Sequence, residues 1–451
     1  MERAKPPETS PIIARPWLLT FVPINAATSA FGVVLPLLIL IPLHDSWTIV
    51  AVAAMLYNVA AILGSLAWGW VADRYPTRRK LLLLNYSAYG VVFLALPGLQ
   101  SLSALLVLYM ILGFVGPSGG NASALLIIER FSIPERPNAL ASFQLLSIVG
   151  SIGGVLGGYF WLSAGLALYP LLYMLAVLVF ASFIGVWFGL REAIQEHAPA
   201  GLAGIWETLV GRLRGPDGWR MPFLLFPRVP DFSSRGRHRF YQWLREEFHH
   251  ELPLILAASF LFNVTANLFL TSYTPYLYAA GLGAASIFLV NLANSAAQAI
   301  VLPGSGAVTR RNADRAVQGS TGLRSIGYLS VAVYTFLPLT LVLSFAANAV
   351  AFALLGAAIA LYSTSSGILL YRAVEGKEAG TLLGLNGALG GIAAIAGAGL
   401  SGVLSLLGSY RLVFLISAVG LLASIPLWAA SSWARFRRFR GRTVGKPARG
   451  E

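Results

Sequence analysis

The chain of 451 residues contains no cysteine and little charge. Without cysteine there are no disulfides, no thiolate metal sites and no thiol nucleophile. Charged residues make up 11% of the chain, against roughly 25% in a soluble domain. Apolar residues make up 57%, and the mean hydropathy is +0.72. So much apolar surface does not fit inside one water-exposed core, and soluble monomers avoid displaying it. A soluble enzyme, a disordered chain and a fibrous protein are excluded on this ground. The ten-residue alternation of a transmembrane barrel is also missing. The five histidines, His44, His197, His238, His249 and His250, all fall outside the apolar stretches. A membrane enzyme would need its reactive cluster at membrane depth, so no catalytic residue, metal site or cofactor is expected.

What is present is a series of twelve apolar stretches, each close to the ~20 residues that cross a bilayer as a helix. They lie near 17–41, 47–72, 81–97, 103–127, 138–163, 168–190, 252–280, 284–302, 324–343, 345–371, 380–407 and 412–433. The first is too long for the apolar core of a signal peptide. The expected fold is an all-α polytopic membrane protein of twelve transmembrane helices in two pseudo-symmetric six-helix halves. Its parts are an N-terminal cytoplasmic segment 1–16, a first half 17–190, a cytoplasmic loop 191–250, a second half 251–433 and a basic tail 434–451. The loop holds nine arginines, and its pieces near 202–213 and 238–250 read as amphipathic surface helices.

Sorting the 32 Lys and Arg by loop puts 31 on the side of the two termini, with Arg411 alone on the other. This sorting assigns Arg324 to the loop between the eighth and ninth stretches. The bias places both termini in the cytoplasm of a multi-pass plasma-membrane protein. It also accounts for the net charge of +14, through topology and attraction to anionic lipid headgroups, so no nucleic-acid partner is expected. The expected partners are a small-molecule substrate and membrane lipid, with the chain acting as a monomer.

The halves echo each other. After the second stretch comes Gly69-Trp-Val-Ala-Asp73-Arg74-Tyr-Pro-Thr-Arg78-Arg79; after the eighth comes Gly306-Ala-Val-Thr-Arg310-Arg311-Asn-Ala-Asp314-Arg315. Gly69 matches Gly306, Arg74 matches Arg311 and Arg78 matches Arg315. Glycines also concentrate in the fifth helix of each half, at Gly150, Gly153, Gly154, Gly157 and Gly158, and at Gly384, Gly387, Gly390, Gly391 and Gly397. Such spacing lets helix backbones touch. Two six-helix repeats suggest a transporter with its site at the repeat interface.

The Gly69–Arg79 segment resembles the cytoplasmic loop motif of the major facilitator superfamily. Glu129-Arg130 with Pro134-Glu135-Arg136 resembles that family's next cytoplasmic cluster, and Gly153–Gly158 is similar to the fifth-helix motif of its drug antiporters. A carboxylate at Asp73 is placed to pair with arginine and to accept hydrogen bonds from a helix N-terminus across the half-to-half interface. The expected gating set is therefore Asp73, Arg74, Arg78, Glu129, Arg136 and Arg311; the competing reading is that these charges only mark topology.

The resemblance also implies a central cavity lined chiefly by the first and fourth helices of each half. The candidate substrate-binding residues are Asn25, Thr28, Asn121, Asn263, Asn267, Thr271 and Tyr362, with Asn294 added from a row of Asn291, Asn294 and Gln298 on the eighth helix. Interhelical hydrogen bonding is the alternative use of each.

No stretch, so delimited, carries an ionisable residue near its middle. Proton carriers generally hold one there, and a carrier of charged substrates wants a buried counter-charge. The expected substrate is therefore neutral or largely apolar, moved by ion-independent exchange. The fifth-helix glycines lean toward efflux, and the amide-rich face of Asn263 and Asn267 toward uptake of a neutral polar solute such as a sugar or nucleoside. A non-transporting sensor of the same fold is the reading from another class.

Overall fold

The computed structural model describes residues 16–74, 78–131, 136–190, 251–373 and 379–444. The amphipathic pieces expected within 191–250 lie outside the described residues. After a helical turn at Pro16–Leu19 come twelve long helices. The first half comprises α1 (Phe21–Leu40), α2 (Trp47–Arg74), α3 (Arg78–Leu99), α4 (Leu102–Arg130), α5 (Arg136–Ser163) and α6 (Leu168–Gly189). The second comprises α7 (Leu252–Ala279), α8 (Ala284–Arg311), α9 (Ala313–Tyr334), α10 (Leu341–Ala373), α11 (Ala379–Leu406) and α12 (Tyr410–Val444). No strand occurs among the described residues. Helices alone satisfy every backbone N–H and C=O within one segment, which hydrocarbon demands. Eleven of the twelve are long and apolar enough to cross a membrane; α9 is the exception.

The polar side chains inside these helices mostly bond back to their own backbone. Ser320, Thr321 and Ser325 of α9 donate to carbonyls three or four residues earlier at 2.7 to 2.9 Å. Such bonds let α9 bury hydroxyls without unsatisfied donors.

The same glycine contacts hold both halves together. A Cβ on Gly154 of α5 would lie 1.9 Å from the Ala26 carbonyl oxygen of α1, and one on Gly397 of α11 would lie 2.3 Å from that of Val264 on α7. Likewise, Gly113 of α4 meets the Tyr57 carbonyl of α2, and Gly356 of α10 meets the Asn294 carbonyl of α8. The α1–α5 and α2–α4 pairs thus recur as α7–α11 and α8–α10. The halves join along α2–α11 and α5–α8.

The repeated motif sits at equivalent junctions. Arg74 is the last residue of α2 and Arg311 the last of α8. The second junction is one residue, Asn312, whose Oδ1 caps α9 by accepting from the Arg315 N–H at 3.1 Å.

This junction corrects the expected ninth span. The helix runs over Ala313–Tyr334, not 324–343, and α8 continues to Arg311. Arg324 is therefore no loop residue: it is the twelfth of 22 in α9 and 2% exposed. The expectation that no span carries a charge near its middle is overturned, and Arg324 leaves the cytoplasmic side of the charge count.

Candidate functional site

A cavity of about 300 Å³ lies between the halves near mid-helix depth. The first half contributes Ser29, Gly32 and Val33 from α1, with Ser151 and Val155 from α5. The second contributes Leu270 of α7, Asn291, Asn294, Ser295 and Gln298 of α8, Arg324 of α9, and Phe352, Leu355 and Ile359 of α10. One wall is thus apolar and another carries amides, hydroxyls and a guanidinium.

The amides are held in place by backbone acceptors. Asn291 Nδ2 donates to the Ile287 carbonyl at 2.9 Å, and Asn294 Nδ2 to the Phe352 carbonyl of α10 at 3.1 Å. Gln298 Nε2 donates to Asn294 Oδ1 at 2.5 Å. Across the cavity, the Ser29 hydroxyl donates to Ser151 Oγ at 2.7 Å. Arg324 Nε donates to the Tyr328 hydroxyl at 2.7 Å, and its guanidinium lies 4.8 Å from the centroid of the Phe262 ring.

Of the eight candidate binding residues, Asn294 lines this cavity, joined by its helix neighbours Asn291 and Gln298. Asn25 and Thr28 bond to carbonyls of their own helix, and Asn25 faces Gly150 of α5. Asn121 lies beside Gly69, between α4 and α2. Asn263 and Asn267 each donate to a carbonyl one turn back, and the Asn267 Cβ lies against Gly397 of α11. Thr271 is half-buried on α7 next to Leu270. Tyr362 stacks on Phe262 with ring centroids 3.5 Å apart. The cavity draws on α5, α8 and α9 as well as the expected α1, α7 and α10, whereas the expected α4 contributes no lining residue.

The gating candidates cluster at the opposite ends of these helices. Arg78 opens α3 and donates to the Ala72 carbonyl, and Arg311 is exposed at the end of α8. Asp73, Arg74, Glu129 and Arg136 stand at the ends of α2, α4 and α5, and their side chains lie outside the described residues.

The halves are fastened at the end away from these arginines. Trp47 Nε1 on α2 donates to Ser401 Oγ on α11 at 3.1 Å, and the Thr48 and Ser405 hydroxyls are 2.7 Å apart. Trp47 also stacks on Tyr410 at 4.3 Å, and Phe288 of α8 fills the space over Gly158 of α5. Both of these hydrogen bonds between the halves lie at this end. Toward the arginine end of the same helices Leu63, Leu66, Leu145, Val149 and Ile300 are exposed.

Sequence reasoning missed Arg324, although two signals pointed to it. Arg311 aligns with the helix-ending Arg74, and Asn312 is a helix-capping residue type. The first ends the eighth helix at Arg311, and the second starts the next one at residue 313.

A family model described as Major Facilitator Superfamily matches residues 17–354. Among curated proteins, the multidrug resistance protein MdtG of Dickeya zeae (strain Ech586) is 29% identical over 187 residues, 39% of this chain and 44% of that protein. MdtG of Yersinia enterocolitica serotype O:8 / biotype 1B (strain NCTC 13174 / 8081) is 27% identical over 146 residues, 31% of this chain and 34% of that protein. The matched stretch thus spans less than half the length of these relatives. Among solved structures, the nucleoside transporter NupG superposes with a TM-score of 0.65 at 12% identity, covering 93% of this chain and 99% of that one. A mutant of the same transporter gives 0.63 at 13% identity with the same coverage. These structures share the fold.

Proposed function

Since the chain belongs to the major facilitator superfamily, a multi-pass membrane transporter family and not an enzyme family, we propose that it exports a small organic molecule across the plasma membrane by alternating access. The observation that carries this reading is the cavity between two pseudo-symmetric halves that are hydrogen-bonded to each other at the Trp47 end. Export is supported by the fifth-helix glycines and by the multidrug resistance relatives. The charge sorting supports cytoplasmic termini, which makes the arginine end the cytoplasmic one. Substrate then enters from the cytoplasm in the conformation described, and Asp73, Arg74 and their neighbours close that end in the other. A second reading, uptake of a neutral polar solute, is supported by the amide row Asn291, Asn294 and Gln298 on the cavity wall. The expectation of a neutral or largely apolar substrate rested on the absence of a buried counter-charge, and Arg324 removes that premise.

The test is flux in proteoliposomes of compounds that raise the melting temperature of the purified protein. Saturable flux of such a compound, slowed by Asp73→Asn without loss of folded protein, is expected. Binding without flux would identify a sensor instead.

A further inference from the structure

We propose that Arg324 binds an anionic group of the transported molecule, so that the substrate is an organic anion of the carboxylate type; this rests on the transport reading above. Eleven residues at 1.5 Å each put Arg324 about 16 Å from the start of α9, near the middle of a hydrocarbon layer roughly 30 Å thick. Its side chain is 2% exposed yet contributes to the cavity wall. A guanidinium stays protonated in proteins, so the charge is permanent.

Among the described residues that charge has no counter-ion. Of the guanidinium donors, Nε–H is used on the Tyr328 hydroxyl, and no other hydrogen bond or ion pair of Arg324 occurs among the described residues. The described acidic side chains lie far away: Asp314 is ten residues back, about 15 Å along the same helix, Glu251 precedes α7, and Asp45 lies beyond α1. Phe262 and Tyr328 offer ring faces at 4.8 and 5.4 Å, which steady a cation without neutralising it. A buried cation without a counter-ion is costly. The remaining donors have the fork geometry that fits a carboxylate in two parallel hydrogen bonds.

The cavity beside it suits the rest of such a molecule. Asn294 and Gln298 supply fixed polar groups, and Leu270, Phe352 and Leu355 an apolar wall. A volume of about 300 Å³ is that of a small-ligand site. The fold itself does not require the cation. In the register that matches Arg74 to Arg311, Ser87 of α3 holds the equivalent place, its hydroxyl bonded to the Leu83 carbonyl at 2.7 Å.

The experiment uses the full chain in detergent with matched probes on one skeleton: 2-naphthoate, 2-naphthamide and 2-naphthylmethylamine. A saturable rise in melting temperature with the carboxylate, exceeding that of the amide and amine, is expected. Arg324→Gln should weaken the carboxylate response about tenfold or more and leave the unliganded protein as stable or more stable, since it removes an uncompensated charge. Arg324→Lys, which keeps the charge and loses the fork, should weaken the response less. If Arg324→Gln does not accumulate, the comparison of the lysine variant with wild type decides: an undiminished response in it overturns the proposal. An equal or stronger response to amide or amine, no response to the carboxylate, or a carboxylate response unchanged in Arg324→Gln would each overturn it too. Flux of the same probes separates the two readings. Carboxylate binding that depends on Arg324 but gives no flux refutes transport and spares the anion site; flux of the amide that is indifferent to Arg324 does the reverse.

Discussion

Arg324 and Tyr328 lie one turn apart on α9, with the arginine Nε donating to the tyrosine hydroxyl at 2.7 Å. Tyr328 is fully buried and its ring stacks on Phe269 of α7 at 4.0 Å, so the tyrosine anchors the guanidinium to the second half. Tyr328→Phe keeps the ring and removes the acceptor, leaving a buried charged donor unmet at a cost of roughly 1–3 kcal/mol. The expected outcome is a folded protein with a lower melting temperature and a carboxylate response weakened several-fold. A response equal to wild type would show that Tyr328 does not position Arg324.

Gly154 and Gly153 are neighbours with opposite surroundings. A methyl on Gly154 would collide with the α1 backbone at Ala26, whereas one on Gly153 would meet nothing within 4 Å. Overpacking at a backbone contact costs typically 1–3 kcal/mol. Gly154→Ala should lower the melting temperature clearly in thermal unfolding, and Gly153→Ala should not.

The native chain has no cysteine, so single introduced cysteines report topology directly. Membrane-impermeant maleimide applied to intact cells should label Ser46→Cys, Ser101→Cys and Gly408→Cys, and leave Thr443→Cys unlabelled. Outside labelling at residue 443 with residue 46 protected would invert the orientation.

The energetics of an anion bear on direction. Arg324 cannot shuttle protons, because a guanidinium does not release its own. An anion leaving an inside-negative cell gains about 2.3 kcal/mol per charge per 100 mV. Export driven by membrane potential is therefore expected, with no uphill accumulation under a pure pH gradient. Flux measured in proteoliposomes under an imposed potassium-diffusion potential and, separately, an imposed pH gradient distinguishes the two. Accumulation driven by the pH gradient and abolished by a protonophore would contradict this coupling.

Most of the helices and the two halves were legible because hydrophobic length and the Gly69 and Gly306 repeats are strong signals. The ninth helix was not. Residues 318–325, Gln-Gly-Ser-Thr-Gly-Leu-Arg-Ser, read as a polar loop in a hydropathy window. In the fold these residues pack against α10 and α12 and bond their hydroxyls to their own helix. Local polarity therefore says little about a helix shielded from lipid by its neighbours. The candidate site was legible only at Asn294. In a helix apolar on every face, the side that looks into a cavity has no sequence mark, and Asn267 and Asn25 turned to helix contacts instead.

The central claim is that the halves part at the Trp47 end during each transport cycle. The Thr48 and Ser405 hydroxyls, 2.7 Å apart across that seam, offer the most direct test. The double substitution Thr48→Cys with Ser405→Cys should form a disulfide on oxidation in an otherwise cysteine-free chain. Flux of a bound substrate in proteoliposomes should then fall to background when oxidised and return on reduction. Full flux through the quantitatively crosslinked protein would contradict alternating access by this route.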